Sequence, residues 1–535
     1  VSEVEPLLDL EDIQGNIYPG FNKDHQTFIF LEIVDVGAAK SALRDLTADV
    51  ASSQVVQDYA RLRAAIKKQR GGGPSGLTAT WMNISLGYNG LSKLAPADVA
   101  KALGEGALAA GLVARSSLLG DPVDPTAPGH PSHWTIGRPD SASMDIVLTI
   151  AGDRREDVDA FRAAIEARLA QHTAADGTPG LRRSTEDLFG DTLGDDLNGH
   201  EHFGFKDGVS QPALRGRSKS SPESFVTERT LDPTSPQATR VGRPGQVLLW
   251  PGQILLRQLR QSATDPTKPS PAIEVGPVWV TNGSFMVLRV LEQDVPAFWK
   301  TMRGYAQTVD GRDDDTTTDW VAARVVGRWR SGAPLERTPD ADDPRLVGDN
   351  RVSNDFGFRQ DTTRPIMAAG QPPLPTLPLA KGDPEGAICP FAAHIRKVNP
   401  RDDAVEQGGP NDTLLRLFVR RGIPFGPRFP DPRRAVPDGI SRGLIFVSYQ
   451  ASIERQFEFV MQKWVNSNEA PRAASGRDAV LGRHAVQPGT PATTMRVQDQ
   501  EGEIHILPQV TDFITPKGGG YFFTPSIKAL SELTK

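Results

Sequence analysis

Apolar positions along this chain follow two periods, and the alternation between them recurs. "TFIFLEIVDV" (Thr27–Val36) is a dense apolar run that predicts a strand. The following "GAAKSALRDLTADVASSQVVQDYARLRAAIKKQR" (Gly37–Arg70) carries apolar residues at helical spacing, which predicts a helix ended by the breaker "GGGPSG". "ATWMNISLGY" (Ala79–Tyr88) predicts a second strand, "LSKLAPADVAKAL" a short helix, "SMDIVLTIAG" (Ser143–Gly152) a third strand and "REDVDAFRAAIEARLAQH" a second long helix. That order predicts an antiparallel sheet with helices packed on one face. No Gly-rich fingerprint joins a strand to a helix, so dinucleotide binding is unsupported.

Residues 215–247, rich in Ser, Pro, Thr and Arg, predict a surface connection, after which the theme returns. "GSFMVLRVL" (Gly283–Leu291) is a strand followed by the helical "EQDVPAFWKTMRGYAQ", and "GLIFVSYQ" (Gly443–Gln450) is a strand followed by the amphipathic "ASIERQFEFVMQKWV". Between these pairs runs an insertion, 334–410, heavy in Pro, Gly and Asp. Irregular stretches of that length inside a packed domain usually line a site.

Composition narrows the classes. A chain of 535 residues predicts two domains with sizeable insertions. With 38% hydrophobic and 24% charged residues it reads as soluble and globular. The net charge of −6 offers no cationic surplus for a nucleic acid or an anionic membrane. The single cysteine, Cys389, excludes an intrachain disulfide and a Cys-based metal cluster. Neither a signal-peptide succession nor a long apolar run is present, so the cytoplasm is expected ahead of a secreted mature form, although a chain beginning at Val1 is expected to have been processed. No oligomeric state follows.

Three stretches carry chemistry. In "HEHFGFKDGVSQPAL" (His200–Leu214) the Asp207-Gly208 pair predicts a tight turn, and a metal at His200 and His202 lacks a third ligand at a telling spacing. In "DPEGAICPFAAHIRKVNPR" (Asp383–Arg401), His394 reads either as a buried structural residue or as a ring nitrogen that small neighbours open to a large planar group. Arg396 and Arg401 are then surface cations or partners for that group's carboxylates. "TLLRLFVRRGIPFGP" (Thr413–Pro427) is a β-like apolar run ending in Arg420 and Arg421, which reads as an exposed strand end or as a buried guanidinium needing a partner.

Taken together, these stretches resemble the dye-decolorising peroxidases, in particular the longer fungal-like and actinobacterial branch. "LDLEDIQGNIYPGF", the Gly204-x-x-Asp207-Gly208 signature, "VGRWRSGAPL", "NDFGF", "CPFAAHIRKVNPR", "GLIFVSYQASIERQFEF" and "FITPKGGGYFFTPSI" stand in family order. The resemblance implies an α+β fold of two ferredoxin-like domains, placed here at 1–240 and 241–535, with heme b held mainly by the second. It implies a peroxidase that uses hydrogen peroxide to oxidise phenols and anthraquinone-type dyes by one-electron steps through a ferryl intermediate, the alternative being a heme-handling protein with little turnover.

By the same resemblance His394 is the proximal iron ligand and Asp207 the distal acid–base residue. Alignment on Gly422 and Pro424 selects Arg420 over Arg421 as the distal arginine. Val209, Gln211, Arg396, Leu444 and Phe446 are the implied cofactor contacts. Glu454 or Glu458 is expected to hold the second nitrogen of His394. The position where some members carry a relay tyrosine is Phe425, leaving Tyr449, Trp464 and Trp329 as relays or core aromatics. Cys389 is expected to be a small buried residue. Because an unperturbed aspartate titrates near about 3.9, the activity optimum is expected to be acidic.

Overall fold

Phe28 and Phe30 point to one side of their strand and Ile29, Leu31 and Ile33 to the other, and all five are buried. The strand is therefore covered on both faces, and that fact organises the molecule. The computed structural model describes residues 5–70, 76–104, 106–403, 409–484 and 492–535; most of the expected breaker (71–75) and part of the insertion (404–408) lie outside them.

Ten strands form one sheet, numbered in chain order: β1 His25–Ile33, β2 Thr80–Leu86, β3 Ile146–Gly152, β4 Leu181–Arg183, β5 Leu188–Asp191, β6 Ser284–Gln293, β7 Val419–Arg420, β8 Ile423–Phe425, β9 Gly443–Gln450 and β10 Ile514–Thr524. The order is β7-β9-β6-β10-β2-β3-β1-β4, with β8 also on β9 and β5 also on β1, and every pairing is antiparallel. Counting β4/β5 and β7/β8 as one strand each, both halves show the same order, fourth, first, third, second. This is the ferredoxin-like arrangement in duplicate. The halves meet where β10 pairs with β2 at Phe523 and Leu86.

Their inner faces also meet. Phe28, Phe30 and Val147 of the first half share a core with Met286, Leu288, Ile445, Val447 and Phe522 of the second. At the far side β5 touches β8: a Cβ on Gly190 would collide with the Ile423 side chain, so only glycine lets the strands close the barrel. On the outer face of the first half, α1 (Val36–Thr47) and α3 (Arg155–Leu169) supply Leu43, Leu46, Val158 and Ile165 to a core with Ile29, Ile84 and Leu148. Asp35 caps α1 by accepting the Ala38 N–H at 2.8 Å.

Several elements differ from the sequence pattern. The helix predicted over Gly37–Arg70 is two, α1 and α2 (Ser53–Arg70), because Val50 leaves helical geometry to pair in parallel with Met82 of β2. The short helix over Leu91–Leu103 likewise splits at Pro96: Ala95 before it is extended, as the proline ring demands. The β-like run from Thr413 is helical through Arg416, opened by Pro410 in its first turn and tied by an Asp412–Arg416 pair at 2.9 Å, and strand geometry begins only at Val419. The stretch 215–247 is more than a connection, since Gln237, Arg240, Val241, Gly245 and Val247 help to line a cavity.

Candidate active site

Along β9, Ile445 and Val447 face the barrel core, so the two-residue period turns Leu444 and Phe446 to the outer face. Leu291 and Gln293 of β6 share that face. In the second half this surface borders a cavity of about 590 Å³. Its remaining apolar walls include Ile395, Val398, Phe457, Val460, Val465 and Leu481.

His394 opens a short helix, His394–Val398, behind two buried alanines, Ala392 and Ala393. Its Nδ1 lies 2.8 Å from Asp478 Oδ2, and the 29% of its side chain that stays exposed lies in the cavity lining. Asp478 is fully buried, and its other oxygen accepts the Val480 and Leu481 N–H groups at 2.9 and 2.8 Å. Burial opposes its charge, yet the imidazole and these donors hold the carboxyl below its usual range. An ionised acceptor at Nδ1 fixes the proton there and leaves Nε2 as the free lone pair. Glu454 and Glu458, expected in that role, are engaged elsewhere: Glu454 accepts the Ala107 N–H, and Glu458 pairs with Arg115.

Asp207 ends a tight loop closed by its own N–H to the Gly199 carbonyl at 2.8 Å. Gly208 follows with φ +69°, the left-handed geometry that the Asp-Gly pair predicts. Arg420, at the end of β7, stands with Nη2 4.0 Å from Asp207 Oδ1 and donates to the Ser210 carbonyl at 3.0 Å. Gln211 brackets the Arg420 backbone, accepting its N–H at 3.1 Å and donating to its carbonyl at 3.3 Å. Arg421 turns the other way, donating to the Asn16 and Ile17 carbonyls. Val209 lines the cavity too, its carbonyl held by Asn354 Nδ2 at 2.6 Å.

Arg396 does not reach the cavity. Its buried guanidinium is spent on Asp403 at 2.7 Å, Asp383 at 3.1 Å and the Cys389 and Asp383 carbonyls, so the expectation that it contacts a cofactor is corrected. Arg401 and Arg328 line the wall instead. Arg401 donates to the Asn354 and Phe356 carbonyls; Arg328 donates to the Gly332 and Ser353 carbonyls and the Asn354 side-chain oxygen. Neither forms an ion pair among the described residues. Burial lowers them to about 10 and about 9.

Other expectations resolve by placement. His202 is occupied by the Phe425 carbonyl at 2.8 Å, burial pushing it down to about 4, and His200 by the Asn198 carbonyl. Tyr449, Trp464 and Trp329 are buried core residues, as is Cys389, and none of them lines the cavity. Among the described residues one group has metal-ligand spacing, Asp499, Glu503 and His505 on a hairpin outside the cavity lining. Sequence reasoning missed Asp478 and gave Arg328 no role. Asp478 lies 84 residues from its partner, a pairing that no periodicity or local motif encodes.

The chain matches two family descriptions, "DyP dimeric alpha+beta barrel domain" over residues 12–176 and "Dyp-type peroxidase, C-terminal" over residues 260–473. It is 30% identical to the dye-decolorizing peroxidase msp1 of Mycetinis scorodonius, over 98% of this chain and 87% of that one. It is 29% identical to the multifunctional dye peroxidase DyP2 of an Amycolatopsis species, over 99% and 97%. Among solved structures, an ancestral D-type dye-decolorizing peroxidase superposes with a TM-score of 0.73 at 30% identity, over 99% of each chain. A dye-decolorizing peroxidase in complex with 2,6-dimethoxyphenol gives 0.69 at 27% identity, covering 99% of this chain and all of that one.

Proposed function

Because the chain belongs to the dye-decolorising peroxidases, a heme-dependent family, we propose that its cavity holds heme b and that hydrogen peroxide is spent there to oxidise phenols and anthraquinone-type dyes. The donor set fits that group. His394 offers Nε2 to iron, Arg328 and Arg401 offer two unpaired charges to its carboxylates, and Leu444 and Phe446 offer apolar surface to a planar ring. Non-covalent binding, as heme b requires, suits a chain whose one thiol is buried outside the cavity lining. The division at residue 240 is part of the same proposal, supported by the strand order that repeats on either side of it.

Bound heme supplies the iron at which peroxide is reduced and from which donors are oxidised one electron at a time. Protein groups manage the proton. With heme bound, Asp207 Oδ1 would accept a proton from one peroxide oxygen and return it to the other, so that water could depart. Arg420, held by the Ser210 carbonyl, keeps its charge at working pH and stabilises the leaving oxygen. The 4.0 Å between them is too long for a direct hydrogen bond and leaves both groups able to reach one oxygen atom. Asp478 meanwhile holds the ring proton of His394 on Nδ1, so that Nε2 keeps its lone pair.

That Asp207–Arg420 pair is the observation that carries the reading, since a heme carrier needs neither group. Asp207→Asn is expected to leave heme binding intact and to slow the reaction with peroxide by about 10²–10⁴-fold in stopped-flow absorption. An unchanged rate would remove Asp207 from the mechanism.

A further inference from the structure

We propose that Glu201 is a positioning residue for Asp207: its carboxylate fills the inside of the loop that carries Asp207 and fixes that loop's shape from within. The proposal rests on the reading of Asp207 given above.

The loop from Gly199 to Asp207 is a narrow hairpin. Asp207 N–H reaches the Gly199 carbonyl, His200 and Lys206 form a bridge, Glu201 N–H donates to the Phe205 carbonyl at 3.0 Å, and Gly204 N–H donates to the Glu201 carbonyl at 2.9 Å. Two inward N–H groups remain, on Phe203 and Phe205. Glu201 accepts both, Oε2 from Phe203 and Oε1 from Phe205, each at 2.9 Å. Oε2 also accepts Gln293 Nε2 from β6 at 2.5 Å.

Every one of these partners donates, so both oxygens serve as acceptors; burial pushes the carboxyl up to about 7, and the three donors pull against that rise. A glutamine has nearly the same shape but would turn an N–H₂ against a backbone N–H. From outside, Phe203 stacks on Phe298 with centroids 4.4 Å apart, and Trp299 Nε1 donates to the Phe203 carbonyl at 3.1 Å. The aromatic contacts seat the loop on the helix Val295–Asp310, while Glu201 sets its curvature and ties it to β6. Phe205, pinned by Glu201, lies two residues before Asp207. A carboxylate that must share one small molecule with Arg420 tolerates little displacement, and misplacement on the scale of 1 Å costs about 10²-fold in comparable sites.

The test separates the two half-reactions. In Glu201→Gln holoenzyme, kcat/KM for peroxide is expected to fall about 10–100-fold, while kcat/KM for the phenolic donor is nearly unchanged. In apo and holo protein alike, hydrogen exchange at the Phe203 and Phe205 amides is expected to quicken. In an Asp207→Asn background the same substitution is expected to cost little more, because the group it positions is gone. If Glu201→Gln does not accumulate folded, Gln293→Leu carries the test, with a smaller loss confined to the peroxide term. Equal losses in both kcat/KM terms, or a full loss persisting in the Asp207→Asn background, would overturn the proposal. A slow Asp207→Asn beside a fast Glu201→Gln would overturn it alone, whereas a fast Asp207→Asn would overturn the reading of Asp207 on which it stands.

Discussion

The two halves of the barrel use one strand order and cover it differently. Over the first half, α1 and α3 lie directly on the sheet, and no residue of β1, β2 or β3 borders the cavity. Over the second, the equivalent outer face carries Leu444, Phe446, Leu291 and Gln293 into open space, and the covering elements stand back to enclose it. Matching backbones thus produce one fully packed layer and one chamber. The difference lies in what each face buries. The first buries chiefly aliphatic side chains, whereas the second is bordered by Arg328, Arg401, Glu201 and His394, polar and charged groups that are costly to bury against an apolar layer.

The sharpest way to test that contrast is to damage the packed half. Leu148→Ala, at a wholly buried site under α1 and α3, is expected to cost about 2–5 kcal/mol in denaturant unfolding. At temperatures where the variant stays folded, its reaction with peroxide should be unchanged. A kinetic defect there would mean that the halves are mechanically coupled and the contrast is false.

Glu336 tests the charged half without touching the cavity. Neither of its oxygens has a partner among the described residues, and burial pushes its carboxyl from an ordinary 4.5 up to about 7. Between those values the folded chain keeps a proton that the unfolded chain releases. The stability from this neutral acid is therefore complete below the lower value and lost as pH rises through the upper. Glu336→Gln removes that loss. Its unfolding free energy should match the parent's at about pH 4 and exceed it by up to about 3 kcal/mol at about pH 8. An advantage that did not grow with pH would show the carboxyl to be ordinary.

The mildest test is Asp478→Asn, which keeps size but gives up the charge facing His394. Heme affinity, read by titrating apo protein and following absorption, is expected to weaken about 10–100-fold. An unaltered affinity would detach Asp478 from the ligand's orientation.

Much of this plan was legible in residue order, for identifiable reasons. The long strands announce themselves because they run mostly apolar over six or more residues, as in "TFIFLEI" and "MDIVLTIAG". Asp207, His394 and Arg420 could be named because each sits in a local motif. What stayed hidden is long-range: Asp478 beside His394, Glu201 inside its own loop, and the opposite fates of Arg396 and Arg401, five residues apart on the same stretch. Helix limits failed where a neighbouring strand competed, as at Val50, or where proline intervened, as at Pro96.

The position of β10 has a consequence for how the molecule is made. It is the last strand of the sheet to leave the ribosome, yet it lies at the centre, joining β6 of its own half to β2 of the other. While the earlier strands emerge, β6 offers an unpaired edge of ten mostly buried residues, a template for pairing with another nascent chain. The wall that Ile514 and Pro516 add to the cavity is missing for just as long. A finished chamber, and with it a place for the cofactor, becomes available only after β10 has emerged.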